Sequence, residues 1–217
     1  MKKSILAVAF LLLAAAAGFA QDKRAEVFVG YSNLQADRSF DDLGNLSTFR
    51  DSFKRNGMNG VEASITGFPV GWLGLTGDFS YHRKETSATV TGGTSQYKRE
   101  MYYFMAGPTL KIRNPTRVEP FVRALAGGAH LRENYVLTTI TPTGNAVTTI
   151  TPNTTKFALG LGGGLDVRLG DKFSLRLIQV DYTPIFTGDR VINVNNNSIR
   201  LSNNRIDNVR ISVGLVF

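Results

Sequence analysis

The chain has no cysteine among its 217 residues, and this absence removes several functions at once. Disulfide bonds, a lipid-modified N-terminal cysteine, thiol catalysis and thiolate metal sites are all excluded. Only two histidines, His82 and His130, are present, and their spacing matches no metal-binding pattern that we recognise. We therefore expect no metal and no other cofactor.

Long apolar stretches are missing after residue 20. No later segment contains the roughly 18 or more apolar residues of a membrane-spanning helix. A mature chain that resides in a membrane would have to form a closed barrel, because lipid offers no partner to an unpaired backbone polar group.

The first twenty residues, "MKKSILAVAFLLLAAAAGFA", have a basic start, an apolar run and small residues at Gly18 and Ala20. This order is typical of a secretory signal peptide, with cleavage expected after Ala20. A membrane anchor is less favoured, since the apolar run is shorter than the roughly 20 residues of a spanning helix. We therefore divide the chain into a signal peptide, residues 1–20, and one domain, residues 21–217.

The formal net charge is +8. Loss of Lys2 and Lys3 with the signal peptide lowers it to +6, from 23 basic and 17 acidic side chains. No basic run is longer than two residues, so nucleic acid is not an expected partner. Anionic lipid head groups suit an exported basic chain better.

Apolar and polar residues alternate in eight segments, and this period of two predicts strands. The segments cover residues 25–34, 59–68, 73–82, 100–113, 120–130, 156–169, 173–183 and 207–217. In the seventh segment the alternation slips near Leu177–Ile178, which suggests a β-bulge. Most segments are close to the roughly 9–11 residues that cross a bilayer as a strand.

The connections between these segments alternate in length. Three are short, at residues 69–72, 114–119 and 170–172, and four are long and polar, at about 35–58, 83–99, 131–155 and 184–203. Outer-membrane barrels have short periplasmic turns and long extracellular loops in this order. Residues 138–155 contain the near-repeat "TTITPTG" and "TTITPNT" about Gly144–Asn145. This predicts a hairpin beyond the membrane, and residues 191–205 suggest a second one.

Alternation alone does not decide which face is inside, since a soluble lipocalin-like barrel has an apolar interior. Export, the alternating loop lengths and aromatic residues near strand ends favour a membrane barrel. The aromatic residues expected in its two girdles are Tyr31, Phe68, Trp72, Tyr81, Tyr102, Tyr103, Phe157, Phe173, Tyr182 and Phe217.

The terminal "VRISVGLVF" resembles the C-terminal assembly signal of bacterial outer-membrane barrels, with alternate apolar residues before a final aromatic one. The residues that carry this resemblance are Val209, Ile211, Val213, Leu215 and Phe217. The eight-strand layout resembles the OmpA-type transmembrane domain and the outer membrane beta-barrel domain over residues 21–217. The resemblance implies an eight-stranded antiparallel up-and-down barrel in a Gram-negative-type outer membrane, with Phe217 read by the insertion machinery. It also suggests lipid and lipopolysaccharide as surroundings. The peptidoglycan-binding domain that often follows such barrels is not expected here.

Charged residues fall on the predicted inner face. They are Asp78, Lys111, Arg113, Arg123, Asp166, Arg168, Arg176, Asp181 and Arg210. An eight-stranded barrel is barely wide enough for its own side chains, so we expect salt bridges that plug the lumen. Because the cations outnumber these aspartates, Glu62 and Glu119 are expected to supply further partners. A narrow pore for ions or small solutes is the alternative.

Two other features admit a chemical interpretation. "GLGGGL" (residues 160–165) lacks the spacing of a phosphate-binding loop, and we expect its glycines to make room in the lumen. Ser80, His82 and Glu85 lie close in sequence and leave a lipid-modifying enzyme as a second alternative, although an interfacial location is favoured for both histidines.

Basic residues at the outer rim could bind lipopolysaccharide: Arg83, Lys84, Lys98, Arg99, Arg132, Arg190 and Arg200.

The sequence thus predicts a monomeric outer-membrane barrel with a structural or cell-surface interaction role and no enzymatic activity. No residue pattern specifies a surface ligand.

Overall fold

A computed structural model describes residues 25–36, 56–90, 93–113, 115–141, 144–170, 172–187, 190–194, 197–201 and 205–217. The predicted signal peptide lies outside these residues. The strands are β1 (Ala25–Ala36), β2 (Asn56–Val70), β3 (Leu73–Val90), β4 (Gly93–Lys111), β5 (Val118–Thr141), β6 (Gly144–Ile150), β7 (Asn153–Arg168), β8 (Ser174–Tyr182), β9 (Ile185–Phe186), β10 (Arg190–Val194), β11 (Asn197–Leu201), β12 (Arg205–Ile206) and β13 (Val209–Val216). None of the described residues forms a helix with the length and hydropathy of a membrane span.

Eight of these strands close into one antiparallel barrel, in the order β1, β2, β3, β4, β5, β7, β8 and β13. The last strand pairs with the first, from Phe28 opposite Val216 to Gln35 opposite Val209. Beyond this ladder, Phe217 exchanges two backbone hydrogen bonds of 2.9 and 3.0 Å with Val27. The predicted eight-stranded up-and-down barrel is confirmed. Closure leaves no edge strand in its wall, as a membrane requires.

The two faces of the barrel wall follow the sequence alternation. Val61 and Ile65 on β2 are exposed on the outer wall, whereas Glu62 and Ser64 between them are buried inside. The expected slip in β8 is present: Ile178 pairs with Leu165 of β7, but Arg176 pairs with the next residue, Asp166. Leu177 is therefore the extra residue of a bulge, and both Leu177 and Ile178 are exposed.

The long connections contain more strand than the sequence predicted. β3 and β4 pair continuously from Leu73 opposite Leu110 to Val90 opposite Gly93, so most of residues 83–99 is a hairpin rather than a loop. The hairpin predicted in residues 138–155 is present as β5 and β6, but its strands meet at Thr141 and Gly144. β10 and β11 form the second hairpin. We call the end of the barrel that carries these extensions the hairpin end, and the opposite end the short-turn end.

Two of the predicted girdle aromatics face inward instead. Tyr103 is fully buried and Phe68 is 4 % exposed, because both share a parity with buried neighbours. Trp72 at the short-turn end and Tyr31 near the hairpin end are exposed on the outer wall. From Trp72 to Tyr81 the chain rises about 30 Å along the strand, or about 23 Å along the barrel axis at a tilt of roughly 40°. The aromatic residues therefore bracket an apolar band of about the height expected for an outer membrane, roughly 25 Å.

Candidate functional site

The middle of the barrel is filled by a cluster of two arginines and three carboxylates, which we call the central cluster. It consists of Glu62 on β2, Asp78 on β3, Arg123 on β5, Asp181 on β8 and Arg210 on β13, and all five are buried. Arg210 donates to Asp78 at 2.8 Å and to Asp181 at 3.0 Å. Arg123 donates to Glu62 at 2.8 Å and to Asp181 at 2.6 Å. Each arginine thus connects strands from different sides of the lumen.

A second group of charges fills the short-turn end, and we call it the mouth cluster. Lys111 donates to Glu26 at 2.8 Å and to Asp166 at 2.9 Å. Arg176 also donates to Asp166, at 2.7 Å. Its guanidinium lies between two aromatic rings, 4.3 Å from the centroid of Phe28 and 4.2 Å from that of Phe121. The guanidinium lies over both rings, and its N–H groups donate to Asp166 and to Gln179, so this cation has partners in several directions.

Two half-buried arginines complete the mouth cluster. Arg113 donates to Glu26 at 3.0 Å, and Arg168 pairs with Glu119. Lys111 reaches Glu119 as well, at 3.3 Å. The side chains of Arg113 and Arg168 are 22 % and 28 % exposed, so they line the opening rather than the lumen.

The charges of the two clusters balance. Six cations meet six carboxylates: Lys111, Arg113, Arg123, Arg168, Arg176 and Arg210 with Glu26, Glu62, Asp78, Glu119, Asp166 and Asp181. The sequence indicated more cations than aspartates on this face, and three glutamates make up the difference. Glu26 was not among the expected partners, although it has the inward parity of Phe28 and could have been found in that way. Gln179 shares a face with Arg176 and Asp181 once the slip in β8 is allowed for, and it donates to Glu62 and Asp181 at 2.7 and 2.8 Å.

Two cavities lie among these side chains, and one of them, of about 50 Å³, is at the mouth cluster beside Glu26, Arg113 and Glu119. The other cavity, of about 10 Å³, lies between the central cluster and the mouth cluster, next to Lys111 and Arg123. That volume corresponds to about one water molecule. Glycines allow this density: a Cβ on Gly162 would lie 2.3 Å from an oxygen of Asp181, and a Cβ on Gly164 would lie 2.9 Å from Phe121. These glycines make room for larger neighbours, as the sequence suggested for "GLGGGL".

A chain of hydroxyl groups extends from the central cluster toward the hairpin end. Ser212 donates to Glu62 at 2.5 Å, and its oxygen lies 2.9 Å from that of Ser32. Ser32 in turn lies 2.9 Å from Nε2 of His82. His82 is fully buried, so its expected interfacial location is wrong. Its parity is that of Asp78 and Ser80, which face inward on the same strand.

The residues that suggested a lipid-modifying enzyme are not brought together. Ser80 accepts a hydrogen bond of 2.8 Å from Arg210 inside the barrel. Glu85 is exposed beyond the barrel wall and pairs with Arg83. His82 contacts Ser32 instead, in a part of the interior that is closed to solvent.

An apolar layer lines the interior beside His82 and toward the hairpin end, and in the register of β3 and β4 Met101 pairs with His82 and Met105 with Asp78. Its buried residues are Leu34, Ala36, Met58, Met101, Tyr103, Met105, Leu125, Ala129, Leu131, Ala158, Ile185 and Ile206. Ile185 and Ile206 belong to β9 and β12, which pair with each other and continue the wall beyond β8 and β13. We call this layer the apolar cap. Three of its members, Met101, Tyr103 and Met105, are successive inward residues of β4, an alternation that the sequence prediction did not single out.

The outer rim at the hairpin end carries part of the predicted basic set. Arg83, Lys98 and Arg132 have outward parity and occupy neighbouring strands, next to the stacked rings of Tyr81 and Tyr102, whose centroids are 4.8 Å apart. Arg99 was expected at this rim but is buried, with a 2.8 Å bond to Glu133. The side chains of Arg190 and Arg200 lie outside the described part of the structure.

The residues of the suggested assembly signal form the outer face of β13. Ile211, Val213, Leu215 and Phe217 are exposed there, and Val209 is half-buried. The carboxyl-terminal strand thus presents an apolar stripe to the surroundings of the barrel while Arg210 and Ser212 face the lumen.

Comparison with known protein families agrees with this architecture. A family model for the outer membrane protein beta-barrel domain matches residues 5–217. No curated protein sequence is significantly similar. Among solved structures, Ail of Yersinia pestis in complex with the heparin analogue sucrose octasulfate has 14 % identity and a TM-score of 0.48, covering 89 % of this chain and 97 % of that one. Neisserial surface protein A has 10 % identity and a TM-score of 0.46, covering 89 % and 96 %. OprG from Pseudomonas aeruginosa has 10 % identity and a TM-score of 0.46, covering 88 % and 93 %.

Proposed function

Because the chain belongs to the outer membrane protein beta-barrel domain family, we propose that it is a non-conducting barrel of a Gram-negative-type outer membrane with a role in cell-surface interaction. The hairpin end faces the cell exterior, and the short-turn end faces the periplasm. The cleaved signal peptide of residues 1–20 delivers the chain, and the stripe ending at Phe217 is the signal read by the insertion machinery. The barrel acts as a monomer within its membrane and performs no catalysis.

The buried ion pairs and apolar side chains inside the barrel are the observation that supports this proposal. The mouth cluster lies at the short-turn end, the central cluster lies in the middle of the barrel, and the apolar cap lies beside the central cluster and toward the hairpin end. A conducting path would have to separate buried ion pairs such as Arg210 with Asp78, and that separation is costly. It would then have to cross the apolar cap.

The test is conductance of the purified, refolded protein in planar bilayers. We expect no steady single-channel current from the unmodified protein. Combined Arg123→Ala and Arg210→Ala substitutions, if the variant refolds, remove both central cations and are expected to produce a leak. Arg117→Ala at an exposed short-turn position is the matched control. Steady currents from the unmodified protein would establish the narrow pore instead.

A second role, binding of lipopolysaccharide, is favoured by the rim. Arg83, Lys98 and Arg132 lie on three adjacent strands beside the Tyr81–Tyr102 pair, where cations meet the phosphates of the outer leaflet. Replacing all three by glutamine should lower retention of lipopolysaccharide by the purified barrel. Arg117→Gln and Lys172→Gln at the other end should leave it unchanged.

A further inference from the structure

A four-stranded sheet continues beyond the hairpin end of the barrel. It consists of residues 84–90 of β3, 93–99 of β4, 132–141 of β5, and β6, and we call it the protruding sheet. From Tyr81 to Val90 the chain rises about 30 Å further along β3. When the rim of the barrel is placed at the membrane surface, the protruding sheet lies outside the membrane.

The protruding sheet has two edges, because it does not close on itself. β2 accompanies β3 only as far as Asn59 opposite Arg83. On the other side, β6 pairs with β5, and no other strand in the described part of the chain pairs with β6. Each edge has backbone N–H and C=O groups that can pair with a further strand.

The two edges differ in how they are protected. The β3 edge begins with Lys84 and Glu85, and charged side chains at an edge discourage pairing with another chain. The β6 edge has no such protection: residues 137–155 contain no charged side chain at all. Val147 in the middle of β6 is 63 % exposed. An uncharged, β-branched edge is suited to strand addition.

The strand that already pairs with β6 shows which amino-acid composition a partner strand of β6 can have. Residues 135–141, "YVLTTIT", lie opposite residues 144–150, "GNAVTTI". The two segments share the string "TTI" because of the near-repeat in this part of the chain. A partner rich in threonine, valine and isoleucine and free of charge therefore fits the open side of β6, and β6 itself has that composition.

We propose that β6 pairs with β6 of a second copy of this chain. In an antiparallel pairing centred on Val147, Val147 lies opposite its own copy and Asn145 lies opposite Thr149. Each edge then satisfies the other with the same residues, as a two-fold interface requires. No like charges meet in this register.

The membrane restricts where this pairing occurs. Two barrels in one membrane are related by an axis along the membrane normal, so their β6 strands run in the same direction. Antiparallel pairing therefore joins barrels in two membranes that face each other, consistent with a monomer within each membrane. Because a single short strand pair is marginally stable in water, many copies must act together between two surfaces. The proposed activity is adhesion between cells that carry this protein, and it rests on the proposed extracellular location of the hairpin end.

The experiment uses two differently labelled populations of Gram-negative cells that express the full chain, with clustering measured by microscopy. Unmodified cells should form mixed clusters. Cells with Val147→Lys should cluster about tenfold less, because multivalent contact amplifies the repulsion at each lysine pair. Cells with Val147→Glu should also fail to cluster with themselves. A mixture of the two variants should cluster again, since lysine then faces glutamate.

Ser87→Lys on the exposed β3 edge is the matched control and should cluster like the unmodified chain. The pairing is overturned if Val147→Lys cells cluster normally, if the mixture does not recover, or if Ser87→Lys is equally impaired. In parallel, an epitope is inserted near Gly144, and its accessibility to antibody is measured on intact cells. Lack of clustering with an accessible epitope overturns the β6 pairing alone, whereas an inaccessible epitope overturns the extracellular location and the pairing with it.

Discussion

Replacing Arg210 by methionine tests whether the central cluster holds the barrel together. Arg210 is fully buried and is within ion-pair distance of three carboxylates, at 2.8 Å from Asp78, 3.0 Å from Asp181 and 3.5 Å from Glu62. Methionine has a similar length and no charge. The variant leaves Arg123 as the one cation of the central cluster among these three acids.

The expected loss of stability follows from this imbalance. Removing one partner of a buried ion pair costs about 3–5 kcal/mol, because the other charge stays buried without compensation. Arg113→Met is the matched control: Arg113 is 22 % exposed and pairs with Glu26 at the barrel opening. An ion pair in such a location contributes about 0–1 kcal/mol. Arg210→Met combined with Asp78→Asn removes one cation and one carboxylate and should recover a large part of the loss.

The assay is urea unfolding of the refolded protein in phospholipid vesicles. Trp72 is the single tryptophan of the chain, so its fluorescence reports the transition without a label. The free energy of unfolding follows from the midpoint and the slope. Equal stability of Arg210→Met and Arg113→Met would refute the reasoning, as would a double variant less stable than Arg210→Met alone.

The remaining predictions concern the wall, the carboxyl terminus and the hairpin end. Gly162→Ala should destabilise the barrel by about 1–3 kcal/mol, because its Cβ would lie 2.2 Å from the backbone oxygen of Val180, whereas Gly67→Ala, with no atom within 4 Å, should be neutral in the same urea assay. Deletion of Phe217, or Phe217→Asp, should reduce the amount of folded protein in the outer-membrane fraction; an undiminished amount would contradict its proposed role in insertion. Replacing residues 138–152 by a short Gly/Asn turn should leave a folded barrel, since these residues lie beyond the wall and the barrel strand β7 begins at Asn153, and loss of heat-modifiable folded protein on gels would show otherwise.

The alternation of residues along each strand determined much of this architecture. Because successive side chains in a strand point to opposite faces, the sequence predicted that Arg123 faces inward, as the structure shows. The slip at Leu177–Ile178 was visible in the sequence for the same reason. These are local properties of single strands, and eight such strands with alternating connections imply a membrane barrel.

Strand length beyond the membrane was less well determined. Residues 83–99 are polar on both faces, so no apolar stripe distinguishes the extended hairpin from a loop. β3 and β4 nevertheless stay paired to Val90 and Gly93, since each strand provides the backbone partners of the other. Pro142 and Gly144 predicted the turn of the neighbouring hairpin. They located this turn only to within two residues.

The tertiary structure alone decided which inward groups meet. Glu26 and Lys111 are 85 residues apart in sequence, and Ser32 reaches His82 from a strand that is not its neighbour. Tyr103 and Phe68 were predicted in the girdles because they lie near strand ends, but both side chains face the lumen. Contacts across a barrel depend on the order, tilt and stagger of all eight strands together. These quantities exist only once β13 has closed against β1, and no single segment of the sequence contains them.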